Sequence, residues 1–172
     1  LWLEVNLREK PLADLKVRQA ISLALDRARI VDVIWYGQGK PSVGPVVSSN
    51  TAFNKALKPY PYDPRRANAL LDEAGYPRGA GGVRFKFTQH FLPYGENWVR
   101  LAEYVRQELG KIGISVETQS ADLGGWLRAV YTDWAFNITS TFTHNYSDPS
   151  IGVERSFSSD FIRKGATFTN SM

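Results

Sequence analysis

Apolar and polar side chains alternate one by one through LWLEVNL, residues 1–7, with Leu1, Leu3, Val5 and Leu7 on one side and Trp2, Glu4 and Asn6 on the other. A period of two sends successive side chains to opposite faces of an extended chain, so a half-buried strand is predicted here. The period then changes. After Pro11, Asp14 is placed to cap a helix in which Val17, Ala20, Ile21, Ala24 and Leu25 form one apolar stripe, and Asp26 to cap a second helix through Trp35, closed by Gly37. GQGKPSVGPVVSSN, residues 37–50, is too rich in Gly, Pro and Ser for regular structure.

The stretch PYPYDPRRANALLDEAGYP, residues 59–77, punctuates a short helix tightly. Asp63 is a good N-cap, Pro64 suits the first helical position because its missing N–H had no intrahelical partner, and Gly75 can take the left-handed conformation that stops a helix. A helix from Pro64 to Ala74 follows, its face Ala67, Leu70, Leu71 and Ala74 turned inward and Arg65, Arg66, Asp72 and Glu73 turned to water. After the loop GYPRGAGG, residues 83–91 set Val83, Phe85 and Phe87 against Arg84, Lys86 and Thr88, a strand broken by Pro93 and Gly95. A helix from Glu96 buries Trp98, Leu101, Val105 and Leu109 and ends at Gly110 or Gly113. ISVETQ is the next strand, Asp122 caps a short helix carrying Trp126 and Val130, and WAFNITSTFT is the third strand of this half.

Strand, helix, strand, helix, strand in this order favours right-handed crossovers between parallel strands, hence an α/β fold whose sheet is at least partly parallel. In open sheets of this class ligands sit beyond the carboxyl ends of the strands. Three loops are singled out: HFLPYGEN at 90–97, SADLGG at 120–125 and THNYSDPS at 143–150. Phe91, Tyr94, Trp126, Phe142 and Tyr146 lie in or beside them, an apolar surface with a few polar tips, as a pocket for a small organic ligand requires.

Composition narrows the picture. At 172 residues, 43% of them hydrophobic, the chain fits one domain with a packed core. The net charge of +4 comes from 21 basic and 17 acidic residues scattered along the chain, without the Lys/Arg stripe of a nucleic-acid binder. The absence of cysteine excludes disulfides and thiolate chemistry, and no apolar run approaches a membrane span. The opening LWLEVN has neither an initiator Met nor a signal-peptide profile, the expectation for an excised or mature segment. His144, Ser147 and Asp148 together suggest, as an alternative, a hydrolase relying on His144, but residues this close in one loop rarely reach triad geometry. His90 and His144 both fall at strand ends, yet two histidines without a carboxylate or thiol partner make a poor metal site. No cofactor, metal or nucleotide site is expected.

PLADLKVRQAISLALDRARIV, GQGKPSVGP, YPYDPRRANALLDEAGYP, LAEYVRQELGKIGISVE and DPS resemble, in order and spacing, the ligand-binding lobe of the extracellular solute-binding proteins, family 5, of ABC importers for peptides, dipeptides and nickel. The resemblance covers nearly the whole chain. It implies a periplasmic-binding-protein type II-like lobe: a mixed sheet with parallel βαβ units flanked by helices. Residues 1–172 would then be most of the second lobe of a two-lobe protein whose first lobe is absent from this sequence, with NSM falling where family members continue. The implied function is non-enzymatic capture of a peptide-like or other small solute between the lobes. Delivery to a membrane permease follows, by a monomer, in the periplasm or outside the cell. The implied ligand contacts are His90, Leu92, Tyr94, Trp126, His144, Asn145 and Tyr146. Peptide-binding members carry an Asp where this chain has Asn145, to pair with the ligand's amino terminus. Dipeptide binders carry an Arg before the Pro-Tyr of the first loop, where this chain has Leu92. A less charged or larger solute, for instance a sugar-like, modified or longer peptide compound, is therefore expected.

Overall fold

A computed structural model describes residues 1–148 and 150–172; Pro149, in the third predicted loop, lies outside the described residues. The strands are β1 (Trp2–Val5), β2 (Phe85–Phe91), β3 (Ile114–Gln119) and β4 (Ile138–Thr141), ordered β1-β4-β2-β3 in one sheet. β2 runs parallel to both β3 and β4, with Phe87 opposite Val116 and Gln89 opposite Ile138. β1 lies antiparallel to β4, with Trp2 opposite Thr141. The helices are α1 (Leu15–Ala24), α2 (Arg27–Arg29, continued by a π-helical turn Ile30–Ile34), α3 (Pro64–Glu73), α4 (Glu96–Lys111), α5 (Leu123–Leu127, continued by a π-helical turn Arg128–Thr132) and α6 (Glu154–Phe157).

The predicted caps are in place. The side chains of Asp14, Asp26, Asp63 and Asp122 accept the backbone N–H of Lys16, Arg29, Arg66 and Gly125, each satisfying a donor that has no partner inside its helix. The apolar stripes then settle where the caps orient them. Val17, Ala20 and Ile21 of α1, Ala67, Leu70 and Leu71 of α3 and Leu101, Val105 and Leu109 of α4 pack with Phe87, Ile114, Val116 and Ile138 on one face of the sheet. The opposite face carries a second core of Leu92, Trp126, Val130, Tyr131 and Phe136. Both faces of the parallel part are thus covered, as crossover connections require.

Three local expectations are corrected. Along β1 the polar positions are the more deeply buried ones: Glu4 is 3% and Asn6 1% exposed, whereas Leu3 and Val5 are half-buried against the main core and Leu1 and Leu7, beyond the strand, are 55% and 40% exposed. The reason is tertiary. The far end of the chain folds back over β1, so that the N–H and hydroxyl of Ser171 both donate to Glu4, and the Asn6 amide donates to the carbonyls of Trp134 and Phe136. Alternation reports that two sides differ; it does not report which of them another segment covers. Before β2 the same inversion occurs, with the Arg84 side chain buried and Val83 partly exposed. The last strand, Ile138–Thr141, is shorter than WAFNITSTFT: Trp134 takes a left-handed backbone with φ of 56°, and the Ala135 N–H donates to the Ala129 carbonyl of the preceding π-helical turn instead of to a sheet neighbour.

Burial pushes the Glu4 carboxyl above its ordinary value, with the bonds from Ser171 opposing the shift. The folded protein therefore holds this proton more tightly than the unfolded chain. The corresponding stability is fully present below the unfolded value near 4.5 and is lost as pH rises through the folded one. Glu4→Gln, which keeps shape and removes the charge, is expected to stabilise the chain at pH 7–8 by about 1 kcal/mol, or ~2–4 °C, with the gain vanishing near pH 4.5. Thermal unfolding of both proteins across this pH range checks it; an equal gain at every pH would show that the charge is not the cause.

Candidate functional site

Because β2, β3 and β4 are parallel neighbours, their carboxyl ends open on one edge of the sheet, and the loops that leave them start side by side. The first and third predicted loops meet there. The Tyr94 ring lies 6.0 Å from that of Phe142, Trp98 lies 6.2 Å from Phe142 on another side, and His144 packs edge-on against Phe142 at 5.2 Å. Tyr146 continues the row at 6.2 Å from His144, and Trp35 extends it behind Trp98 at 6.1 Å. The result is a ladder of six rings from the helices to the rim, with its outer members exposed: Tyr94 is 50% and Tyr146 52% solvent-accessible.

The seven predicted contact residues divide into two groups. Tyr94, His144, Asn145 and Tyr146 are brought together on the rim. His90, Leu92 and Trp126 are buried below it. Leu92 is fully enclosed and Trp126 is 1% exposed, its indole N–H donating to Thr139 Oγ1 at 3.0 Å. His90, at the end of β2, is 7% exposed; burial lowers its pKa, a hydrogen bond with the Ala135 backbone opposes this, and its Nδ1 has no partner among the described residues. The second loop, 120–125, leaves the same end of the sheet, but α5 turns its large aromatic inward.

A wall not foreseen from sequence completes the rim. Residues 47–51 run alongside 145–147 and enclose a cavity of about 280 Å³ whose lining is Val47, Tyr146 and neutral polar side chains, among them Asn50, Asn145 and Ser147. The carboxylates on the rim loops are already engaged: Glu96 pairs with Arg100 at 2.6 Å, and the Asp148 pKa is lowered first by the Ser150 hydroxyl and then by the Ser150 backbone N–H, which it accepts at 2.9 Å. A larger hollow of about 530 Å³ lies between β1 and α1, with Leu3, Val5, Ile21 and Leu101 among its mainly apolar walls.

No hydrogen bond joins His144, Ser147 and Asp148 among the described residues, so the loop does not assemble a nucleophile, base and orienter. Nor do three or more His, Asp or Glu side chains gather as metal ligands among the described residues. No helix among them is long and apolar enough to cross a membrane.

The chain is thus an α/β unit with a mixed sheet, helices on both faces and an aromatic rim at the strand ends. The profile of "Bacterial extracellular solute-binding proteins, family 5 Middle" matches residues 1–164, and the chain belongs to that family. It is 29% identical over 147 residues to the glutathione-binding protein GsiB of Escherichia coli K12, an alignment covering 78% of this chain and 28% of the relative. Among solved structures it resembles NikZ from Campylobacter jejuni in complex with Ni(L-His), with a TM-score of 0.84, 26% identity and coverage of 92% of this chain and 32% of that one. It also resembles the periplasmic binding protein DppA from Helicobacter pylori in complex with the peptide STSA, with a TM-score of 0.76, 28% identity and coverage of 87% and 28%. The chain thus spans under a third of each of these relatives. GsiB and DppA are binding proteins by name and NikZ is seen in complex with Ni(L-His), and nothing in the set supports the hydrolase alternative.

Proposed function

We propose that this chain is most of the second lobe of the substrate-binding component of an ABC importer. In the whole protein, a monomer outside the cytoplasm, a solute enters the cleft between this lobe and the first. The lobes close over it, and the closed form docks on a membrane permease. The observation that carries the reading is the meeting of the first and third loops in one aromatic rim, with Tyr94 and Phe142 6.0 Å apart at the ends of parallel strands. Closure draws on contacts with both lobes, because only differential affinity for the closed state shifts the population. This lobe alone is therefore expected to bind weakly.

The solute is peptide-like or another small compound lacking charged ends. Tyr94, His144 and Tyr146 offer it ring faces and polar tips. The two positions where relatives of this family would carry charged anchors are Leu92, enclosed in the core, and Asn145, a neutral amide. Burying the ionised ends of a dipeptide without partners costs several kcal/mol. Calorimetry on the full-length protein is expected to show Met-Leu binding no tighter than about 100 μM, and acetyl-Ser-Thr-Ser-Ala-amide binding more tightly than free Ser-Thr-Ser-Ala. Submicromolar binding of Met-Leu would refute this assignment of the solute.

A further inference from the structure

The loop 47–51 is fastened to the third rim loop at two points. The Val47 N–H donates to Asn145 Oδ1 at 3.0 Å, and Asn50 Nδ2 donates to the carbonyls of Tyr146 at 2.8 Å and Ser147 at 3.3 Å. Asn50 itself is held in a turn: its Oδ1 accepts the Ala52 N–H at 2.8 Å, and its own N–H donates to the Val47 carbonyl at 2.9 Å. From the other side the Thr143 hydroxyl donates to the Gly152 carbonyl at 3.0 Å. Gly152 has φ of +92°, and a Cβ there would come within 2.8 Å of the His144 carbonyl, so the loop closes only with glycine at this place. The half-exposed Tyr146 ring is thus carried on backbone gripped from both flanks.

We propose that Asn50 and Asn145 form a clasp that fixes Tyr146 in the solute-binding wall, making Asn50 a positioning residue and assigning the Asn145 side-chain oxygen to the protein's own backbone. The role rests on the reading of the rim as one wall of the solute cleft. It also accounts for an amide at 145: the clasp needs only an acceptor there, whereas position 50 must both donate and accept. Asn50 and Tyr146 are 96 residues apart in sequence, so the clasp ties the N-terminal half of the chain to the far end of the sheet.

The two asparagines therefore respond oppositely to the same substitution. Asn145→Asp keeps an oxygen for Val47, whereas Asn50→Asp keeps the bond from Ala52 and loses both donations to the rim loop. In the full-length protein, amide hydrogen exchange is expected to quicken roughly tenfold over residues 144–148 in Asn50→Asp, and at Val47 in Asn145→Ala, while Asn145→Asp stays near the wild type. Affinity for acetyl-Ser-Thr-Ser-Ala-amide should fall roughly five- to tenfold in Asn50→Asp and in Asn145→Ala, with the melting midpoint within about 2 °C of the wild type. Unchanged exchange in Asn50→Asp and Asn145→Ala overturns the clasp. Exchange at Val47 as fast in Asn145→Asp as in Asn145→Ala overturns the assignment of the Asn145 oxygen to the Val47 N–H. Wild-type protein that ignores the peptide overturns the functional reading and the positioning role with it, while the exchange rates still judge the clasp itself.

Discussion

Replacing Trp126 with alanine is expected to remove about 3–5 kcal/mol from the stability of this lobe, read as a lower denaturation midpoint in urea at an unchanged slope. The side chain is 1% exposed, stacks edge-on against Tyr131 with centroids 5.6 Å apart, and touches Phe168 at 6.1 Å, so its removal leaves a cavity in the smaller of the two cores. A core of this kind has few neighbours to collapse into the void. The substitution also orphans the Thr139 hydroxyl, which sits fully buried on β4 and accepts the indole N–H. Trp126→Phe, which refills most of the volume and loses only the hydrogen bond, should cost about 1–2 kcal/mol. If Trp126→Ala instead left the midpoint within about 1 kcal/mol while abolishing solute binding in the full-length protein, the residue would belong to the cleft and its burial here would have no structural role.

Arg84→Met is expected to cost a similar amount, about 3–5 kcal/mol, by a different route. The guanidinium is 2% exposed and spans the junction of three elements. It donates to the Ile112 carbonyl at the end of α4 at 2.9 Å, to Asn68 Oδ1 on α3 at 3.1 Å, and to the Tyr76 carbonyl just past α3. Asp72, at the surface, supplies the countercharge, and Arg84 lowers its carboxyl pKa through their hydrogen bond. Two of these acceptors are backbone carbonyls just past helix ends, Ile112 after α4 and Tyr76 after α3, and methionine would remove their side-chain donor at a junction where the Arg84 side chain is 2% exposed. Arg84→Lys keeps the charge but replaces a planar fork by a single point, and should recover less than half of the loss. Urea unfolding of the three proteins decides it; a loss below about 1 kcal/mol for Arg84→Met would mean that water serves the junction as well as the side chain does.

Much of this architecture is legible in the sequence because local chemistry specifies it. The Asp63-Pro64 start and the Gly75 stop of α3 each satisfy or release particular backbone groups, and the same logic holds for the Asp14, Asp26 and Asp122 caps. The stripes of α1, α3 and α4 follow from the 3.6-residue period, and ISVETQ forms β3 without a change of boundary. The strand-helix-strand rhythm brings parallel strands side by side, and that arrangement places Tyr94 and Phe142 on one rim. Where sidedness depends on a distant segment, the pattern is silent. Glu4 is buried because residues near 171 cover it, and Arg84 because α3 and α4 both end beside it.

The rim shows the same division. Aromatic character near strand ends pointed to Tyr94, Phe142 and Tyr146, which the fold gathers, and equally to Trp126, which it uses as core. A large apolar ring suits a packed interior and a binding wall alike, so only the direction set by α5 separates them. Asn50 drew no notice in the sequence because SSN reads as an ordinary turn, and its partners lie 96 and 97 residues away. The amino-acid order by itself determined the elements, their caps and the edge of the sheet where a ligand would sit, since these depend on neighbours within a turn or a crossover. Which side chains face that ligand, and which hold the wall in place, was decided only when distant segments met, because burial and long-range hydrogen bonds are properties of pairs that the chain brings together by folding.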